Sequence, residues 1–65
     1  MLKLQALRKK RRLSQESAAR EIGVSYWSLQ KSETGAYRPL PGSPLATKLE
    51  AFYGQKLARL LSEVP

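Results

Sequence analysis

The sequence contains no cysteine, no histidine and no aspartate. Without cysteine and histidine, the chain cannot form a disulfide framework, a Cys/His zinc site, a Ser-His-Asp triad or a cysteine nucleophile. Its five acidic residues are all glutamates, and they are scattered along the chain without forming a paired acid and base. These absences exclude most hydrolase chemistry, so we expect neither an enzyme nor a bound metal or cofactor.

Long hydrophobic runs are absent as well. The uncharged segments are much shorter than the roughly 20 apolar residues that cross a bilayer, and no continuous apolar segment follows the basic N-terminal stretch as it does in a secretory signal. The chain of 65 residues has the length of one small domain. We therefore expect a single soluble domain over residues 1–65, located in the cytoplasm and without a membrane partner.

Positive charge is abundant and unevenly placed. Twelve lysines and arginines against five glutamates give a formal net charge of +7 and a pI near 10.3. Such bases can complement a helix dipole and keep a small protein soluble. Consecutive bases repel one another in a folded protein, however, so a run of five favours an anionic partner, with nucleic acid as the first candidate. Residues 1–12 carry most of this charge and no acid: Lys3, Arg8, Lys9, Lys10, Arg11 and Arg12.

Local signals predict four or five short helices and no β-strand. Three serines each precede a periodic apolar segment and are typical helix N-caps: Ser14, Ser25 and Ser43. A glycine follows the end of each of these predicted helices. The sequence RPLPGSP holds three prolines and a glycine and predicts a surface loop over residues 38–44. The predicted helices cover about residues 2–12, 15–22, 26–34, 44–53 and 55–63.

The second and third predicted helices lie so close in sequence that they must cross at a steep angle. Small Ala19 faces the turn, Gly23 forms it, and apolar side chains meet between the helices. The segment of about residues 15–34 resembles the DNA-binding helix-turn-helix. The flanking residues Leu7-Arg8, Leu13-Ser14-Gln15-Glu16, Glu33-x-Gly35 and Arg38-Pro39 extend the resemblance to the Cro/repressor (XRE-like) family, over roughly residues 4–61.

This resemblance implies an all-α fold, a compact four- to five-helix bundle of the lambda-repressor type. It implies a sequence-specific regulator of transcription, bacterial or phage-encoded, that binds double-stranded DNA. Two positions depart from the family pattern, because Ala18 and Ser32 stand where larger apolar residues are usual. The resemblance also implies an ion pair between Arg8 and Glu33.

Helical periodicity places Leu29, Ser32 and Glu33 on the inner face of the third helix and leaves the opposite face free. The resemblance implies that the start of this helix enters the major groove. Glutamine can pair with adenine, and lysine can donate to guanine. Tyr26 and Trp27 could instead lie against the sugar-phosphate backbone, and Trp27 could fold onto the core or serve a dimer contact. The implied base-contacting residues are Tyr26, Trp27, Gln30 and Lys31.

Other positions are expected to hold DNA phosphates. Gln15, with the free amides at the start of the second helix, resembles the phosphate clamp of the family. Thr34, Tyr37 and Arg38 follow the third helix and would hold a second phosphate. The basic run adds Lys10, Arg11 and Arg12, although each of these side chains could simply be solvated.

One helix-turn-helix contacts few base pairs, so we expect a homodimer on a palindromic operator. The fifth helix and the loop before the fourth are the candidate dimer surfaces. A second hypothesis is an antitoxin-type module that binds a partner protein through Trp27 or the C-terminal leucines. An exposed apolar stripe at Leu57, Leu60 and Leu61 would favour such a module or a dimer. A membrane-binding basic helix is the weakest alternative, because its apolar face is short.

Overall fold

The computed structural model describes residues 1–65 and consists of five helices without a strand. The predicted all-α fold is confirmed. None of these helices has the length and apolar character that crossing a membrane requires. The helices are α1 (Lys3–Lys10), α2 (Gln15–Ile22), α3 (Tyr26–Thr34), α4 (Pro44–Tyr53) and α5 (Leu57–Leu60).

Helices α2, α3 and α4 begin directly after the three predicted serine caps. The hydroxyl of Ser14 accepts a hydrogen bond of 3.0 Å from the backbone N–H of the residue three positions later. Ser25 makes the same contact at 3.0 Å, and Ser43 does so at 3.2 Å. Each bond satisfies an amide that has no partner within its helix. The bounds of these three helices therefore agree with the sequence prediction.

Gly23 ends α2 and sets the angle between α2 and α3. Its φ of +89° lies in the left-handed region, where a side chain would be strained. Its N–H donates to the carbonyl of Ala19 at 2.9 Å, which closes the last turn of α2. Only Val24 then precedes the cap of α3, so the two helices cross tightly.

Helix α1 is shorter than predicted, and a left-handed residue follows its C-cap. Arg12 has a φ of +58° and is the one non-glycine residue with a positive φ. Its N–H donates to the carbonyl of Lys9 at 2.9 Å, and the N–H of Leu13 donates to that of Arg8 at 3.3 Å. Glycine is the usual residue at such a position, because a Cβ is disfavoured there. The chain therefore keeps a basic side chain at a position with backbone strain.

We expect Arg12→Gly to raise the free energy of unfolding by about 0.5–1 kcal/mol relative to Arg12→Ala. Glycine relieves the strained φ, whereas alanine retains it, and both variants lose the same charge. Urea denaturation of the two variants at one pH measures the difference. Equal stabilities would show that the left-handed turn is not strained.

The core lies between α2, α3 and α4 and is closed by one residue each from α1 and α5. Ala18 is fully buried, so the small residue occupies a true core position. Ser32 is also fully buried, and its hydroxyl donates to the carbonyl of Ser28 at 2.8 Å. This bond satisfies the hydroxyl within its own helix. The main cluster consists of Leu4, Ala18, Ala19, Ile22, Leu29, Leu49, Tyr53 and Leu60.

The predicted extent of the last helix, residues 55–63, is wrong, because α5 is a single turn. Its start is set by Glu50, whose Oε2 accepts a hydrogen bond of 2.7 Å from the N–H of Leu57. Its end is set by the N-terminal segment, since the N–H of Lys3 donates to the carbonyl of Ser62 at 2.8 Å. An isolated antiparallel bridge between Leu2 and Glu63 accompanies this bond. The chain therefore turns after α5 and then pairs with the N-terminal segment at Glu63.

The C-terminal leucines do not form an exposed stripe. Leu60 is buried in the main core, and Leu57 and Leu61 form a second buried cluster with Ala46, against which Leu2 packs. The sequence predicted that α5 could be an apolar dimer surface or that these leucines could bind a partner protein. Because the leucines are buried, both expectations are corrected. Their apolar area is covered by the chain itself.

Candidate nucleic-acid interface

The outer face of α3 is free, and its first turn carries the most exposed aromatic side chains. Trp27 is 59% exposed and Tyr26 is 45% exposed, whereas Leu29 on the inner face is fully buried. Gln30 and Lys31 are half-buried at the edge of the outer face. The alternative in which Trp27 folds back onto the core therefore does not occur, and α3 presents a broad apolar surface beside amide and ammonium groups.

A buried ion pair joins α1 to α3. Nε of Arg8 donates to Oε2 of Glu33 at 2.7 Å, and the two side chains are only 9% and 1% exposed. The second nitrogen, Nη1 of Arg8, donates to the carbonyl of Leu13 at 2.7 Å. The other carboxylate oxygen of Glu33, Oε1, accepts from Nε2 of Gln15 at 3.0 Å. The ion pair that the resemblance implied is thus present, and it connects α1, α2 and α3.

Gln15 brings the predicted phosphate clamp next to the start of α3. Its Oε1 accepts a hydrogen bond of 3.4 Å from the hydroxyl of Tyr26. Nε2 of Gln15 carries two hydrogens and donates one to Glu33, so the other has no acceptor within the chain. Tyr26 therefore lies against the first residue of α2. Its hydroxyl contacts the side chain of Gln15.

The segment after α3 places three further predicted residues at the other end of that helix. The N–H of Tyr37 donates to the carbonyl of Lys31 at 3.1 Å, so the chain turns back on α3. The hydroxyl of Thr34 donates to the same carbonyl at 3.2 Å, which engages its only hydrogen. Arg38 is exposed and makes no hydrogen bond or ion pair. Thr34, Tyr37 and Arg38 are all exposed at this end of α3.

Arg11 is exposed and lies against the C-terminal turn of α4. Its Nη1 donates to the carbonyl of Phe52 at 3.1 Å. Its guanidinium lies 4.8 Å from the ring centroid of Phe52 and 5.1 Å from that of Tyr53. A cation at the C-terminal turn of a helix and over aromatic rings is stabilising. Lys10 and Arg12 from the same run are exposed and carry no such contact.

Tyr53 is a buried polar residue that sequence analysis did not single out. Its ring packs in the core, and its hydroxyl is buried without a hydrogen-bond partner. Burial raises the pKa of this hydroxyl, and the negative charge of Glu33 raises it further, against the opposing charges of Arg8 and Arg11. Helical periodicity places this ring on the inner face of α4, which indicates core packing but not a buried hydroxyl without a partner.

We expect Tyr53→Phe to make the protein more resistant to alkali. The pKa of Tyr53 is raised in the folded state, so the unfolded tyrosine ionises first, near pH 10. The protonated hydroxyl of Tyr53 therefore contributes fully to the stability of the folded state below about pH 10. This contribution is lost as the pH rises through the folded-state pKa. Urea denaturation at about pH 8 and pH 11 measures this loss, which the phenylalanine variant lacks. The exposed Tyr37→Phe is the control, and an equal loss in both variants would contradict the expectation.

No group of three side chains in the structure is suited to hold a metal ion. Comparison with known proteins gives one match. The sequence model of a family described as Helix-turn-helix matches residues 4–60, which is nearly the whole chain and agrees with the span of the resemblance. No curated protein matches the chain, and no solved structure matches it.

Proposed function

We propose, because the chain belongs to the Cro/repressor-like helix-turn-helix family, that it regulates transcription as a repressor or Cro-like protein by occupying an operator. The family supports DNA binding by a transcription-regulator domain. One observation carries the finer proposal: the first turn of α3 exposes Trp27 and Tyr26 while the opposite face of the helix is buried. Occupying a site requires no catalysis, and none is proposed.

The dimensions of α3 suit the major groove. A helix with its side chains is about 10–12 Å across, and the major groove of B-DNA is about 12 Å wide. Gln30 can make two hydrogen bonds to adenine, and Lys31 can donate to O6 and N7 of guanine. The apolar face of Trp27 suits a thymine methyl group. We propose that these three residues contact base edges and that Tyr26 acts mainly by positioning Gln15.

Phosphate contacts are proposed on both sides of α3. Gln15 and the free amides of the first turn of α2 would hold one phosphate, since a helix N-terminus favours an anion. Tyr37 and Arg38 would hold another at the far end of α3. Lys10 and Arg12 would add positive potential and electrostatic attraction. The geometry supports this set because Gln15 and Tyr26 touch at the start of α3 and Tyr37 returns to its last turn.

Two copies of the chain are proposed to bind one palindromic operator. Half-sites recognised on the same side of the duplex are about 34 Å apart. The chain measures 27 × 25 × 22 Å along its principal axes, so one copy cannot reach both half-sites. A homodimer on DNA satisfies this spacing. The antitoxin-type alternative has less support, because the buried C-terminal leucines leave Trp27 as its only proposed contact.

Selection of bound duplexes from a random pool tests the proposed function. We expect the wild-type chain to enrich a palindromic motif. The combined variant Trp27→Ala/Lys31→Ala is the control, and it should enrich no motif while it still binds random DNA weakly. If the wild-type chain enriches no motif, it is not a sequence-specific regulator, and a protein-binding role for Trp27 becomes the better explanation.

A further inference from the structure

A cavity of about 320 Å³ lies between the C-terminal end of α3 and the paired ends of the chain. Leu2 comes to it from the N-terminal segment, Leu61 from the C-cap of α5, and Ser32 from the last turns of α3. Small-molecule sites in proteins have volumes of about 300–1,000 Å³. The cavity is therefore large enough for a small metabolite and too small for a macromolecule.

The burial of the lining residues divides the cavity into an apolar base and a polar rim. Ser32 is fully buried and Leu61 is only 8% exposed, so both lie at the base. The rim consists of three exposed residues, which are Tyr37, Arg38 and Glu63. Such a cavity accepts a molecule that is apolar at one end and polar at the other.

The base offers space but no hydrogen bond. The hydroxyl of Ser32 already donates to the carbonyl of Ser28 at 2.8 Å, so its only hydrogen is engaged. Ser32 is small, and Gly35 at the C-cap of α3 has no side chain, so α3 leaves this space unfilled. The apolar side chains of Leu2 and Leu61 are the contacts that remain there. The buried end of a bound molecule is therefore a hydrocarbon.

Arg38 determines the charge at the other end of the molecule. The two ion pairs of the structure involve Arg8 and the N-terminal ammonium of Met1, so Arg38 has no acidic partner. Glu63 is the acceptor for that ammonium, at 3.2 Å. The rim thus presents one free guanidinium, and the net charge of +7 attracts anions in general. A carboxylate can accept two parallel hydrogen bonds from an arginine.

We propose that the cavity binds a small aliphatic carboxylate, with its hydrocarbon tail between Leu2 and Leu61 and its carboxylate on Arg38. Arg38 is also proposed to hold a DNA phosphate, so the carboxylate and the operator compete for one guanidinium. The molecule then acts as an effector that weakens operator binding. This effector role rests on the proposed function, whereas binding of the carboxylate to the free chain does not.

Titration of the isotope-labelled free chain with 4-methylpentanoate, followed by NMR, tests the site. We expect saturable shifts of the amide resonances around the cavity, including those of Gly35 and Leu61. Acetate has the charge without the tail, and 4-methylpentanamide has the tail without the charge. Each should bind at least about tenfold more weakly, a difference of about 1.4 kcal/mol. The site is overturned if 4-methylpentanoate causes no saturable shift, or if either control compound binds equally well.

Variants locate the two ends of the bound molecule. Arg38→Gln should weaken the binding of 4-methylpentanoate at least about tenfold. Arg59→Gln removes the same charge at an exposed position outside the cavity and should bind it like the wild type. Ser32→Leu adds hydrocarbon next to the base and should also weaken binding. Equal affinities of the wild type and Arg38→Gln overturn the site, and this comparison decides it even if Ser32→Leu does not fold.

Operator titrations with and without saturating 4-methylpentanoate test the effector role. We expect operator affinity to fall about tenfold in the wild type, with acetate at equal concentration as the control for ionic strength. The same factor should appear as weaker binding of 4-methylpentanoate in the presence of operator, because such coupling is reciprocal. Arg38→Gln should show no such change.

The outcomes separate the cavity from the proposed function. Operator affinity that is unchanged by saturating 4-methylpentanoate overturns the effector role and leaves operator binding intact. Failure of the wild type to bind any duplex specifically overturns the proposed function, and the NMR titration of the free chain still decides whether the cavity binds a carboxylate.

Discussion

Arg8→Met or Glu33→Leu is expected to lower the free energy of unfolding by about 3–5 kcal/mol, because each variant strands the other charge in the core. The ion pair is short and its side chains are 9% and 1% exposed, so water cannot replace the missing partner. Loss of Glu33 also removes the acceptor of Gln15. Loss of Arg8 leaves the carbonyl of Leu13 without its side-chain donor. Urea denaturation measures both effects.

The double variant Arg8→Met/Glu33→Leu should be milder than the sum of its parts, because no charge is then left unpaired. The cycle of four proteins yields the coupling energy directly. Arg20→Met and Glu21→Leu remove the same charges at exposed positions of α2 and should change stability by less than about 0.5 kcal/mol each. A coupling energy near zero for the buried pair would show that it does not stabilise the bundle.

Lys31→Ala and Trp27→Ala are expected to weaken binding to the selected operator by about 1–3 kcal/mol each. Both side chains lie on the outer face of α3, so neither change should unfold the protein. A base contact exists only with the correct base. Binding of scrambled duplexes should therefore fall much less, and preference should relax at one position of the operator. Titrations on operator and scrambled duplexes measure this ratio.

Variants of the residues proposed to contact phosphates are the matched comparison for these two variants of base-contacting residues. Arg38→Ala should weaken binding to both duplexes alike and reduce the salt dependence by about one unit, because one fewer counterion is released. Gln15→Ala should also weaken both, with little change in the salt dependence, since glutamine carries no charge. If Lys31→Ala and Trp27→Ala leave operator affinity unchanged, α3 does not contact bases.

The sequence predicted the bounds of α2, α3 and α4 because short-range signals determine them. Ser14, Ser25 and Ser43 act on amides three residues away, and Gly23 acts through its own φ. The end of the chain is different. Helix α5 begins where the carboxylate of Glu50 binds an amide seven residues away. After a turn, the chain pairs with the N-terminal segment at Glu63. The periodic spacing of leucines in the sequence does not predict the Glu50 hydrogen bond or the pairing of the two ends.

In the candidate site, too, the sequence predicted the local features and missed contacts between residues far apart in the chain. Periodicity correctly placed Leu29 on the inner face of α3 and Trp27 on the outer face. The link from Gln15 to Tyr26 and the contact of Arg11 with Phe52 join residues far apart in sequence, and an isolated sequence offers no signal for them. The family resemblance supplied the pair of Arg8 and Glu33, which composition and spacing alone did not indicate.

The bridge between Leu2 and Glu63 has a consequence for chain connectivity. The N–H of Val64 donates to the carbonyl of Met1 at 2.8 Å, so the two ends of the polypeptide lie side by side. Circular permutation is tolerated where ends are close and the new break falls in an exposed loop. A permutant joined across the bridge and opened at Gly42 would keep all five helices and their contacts.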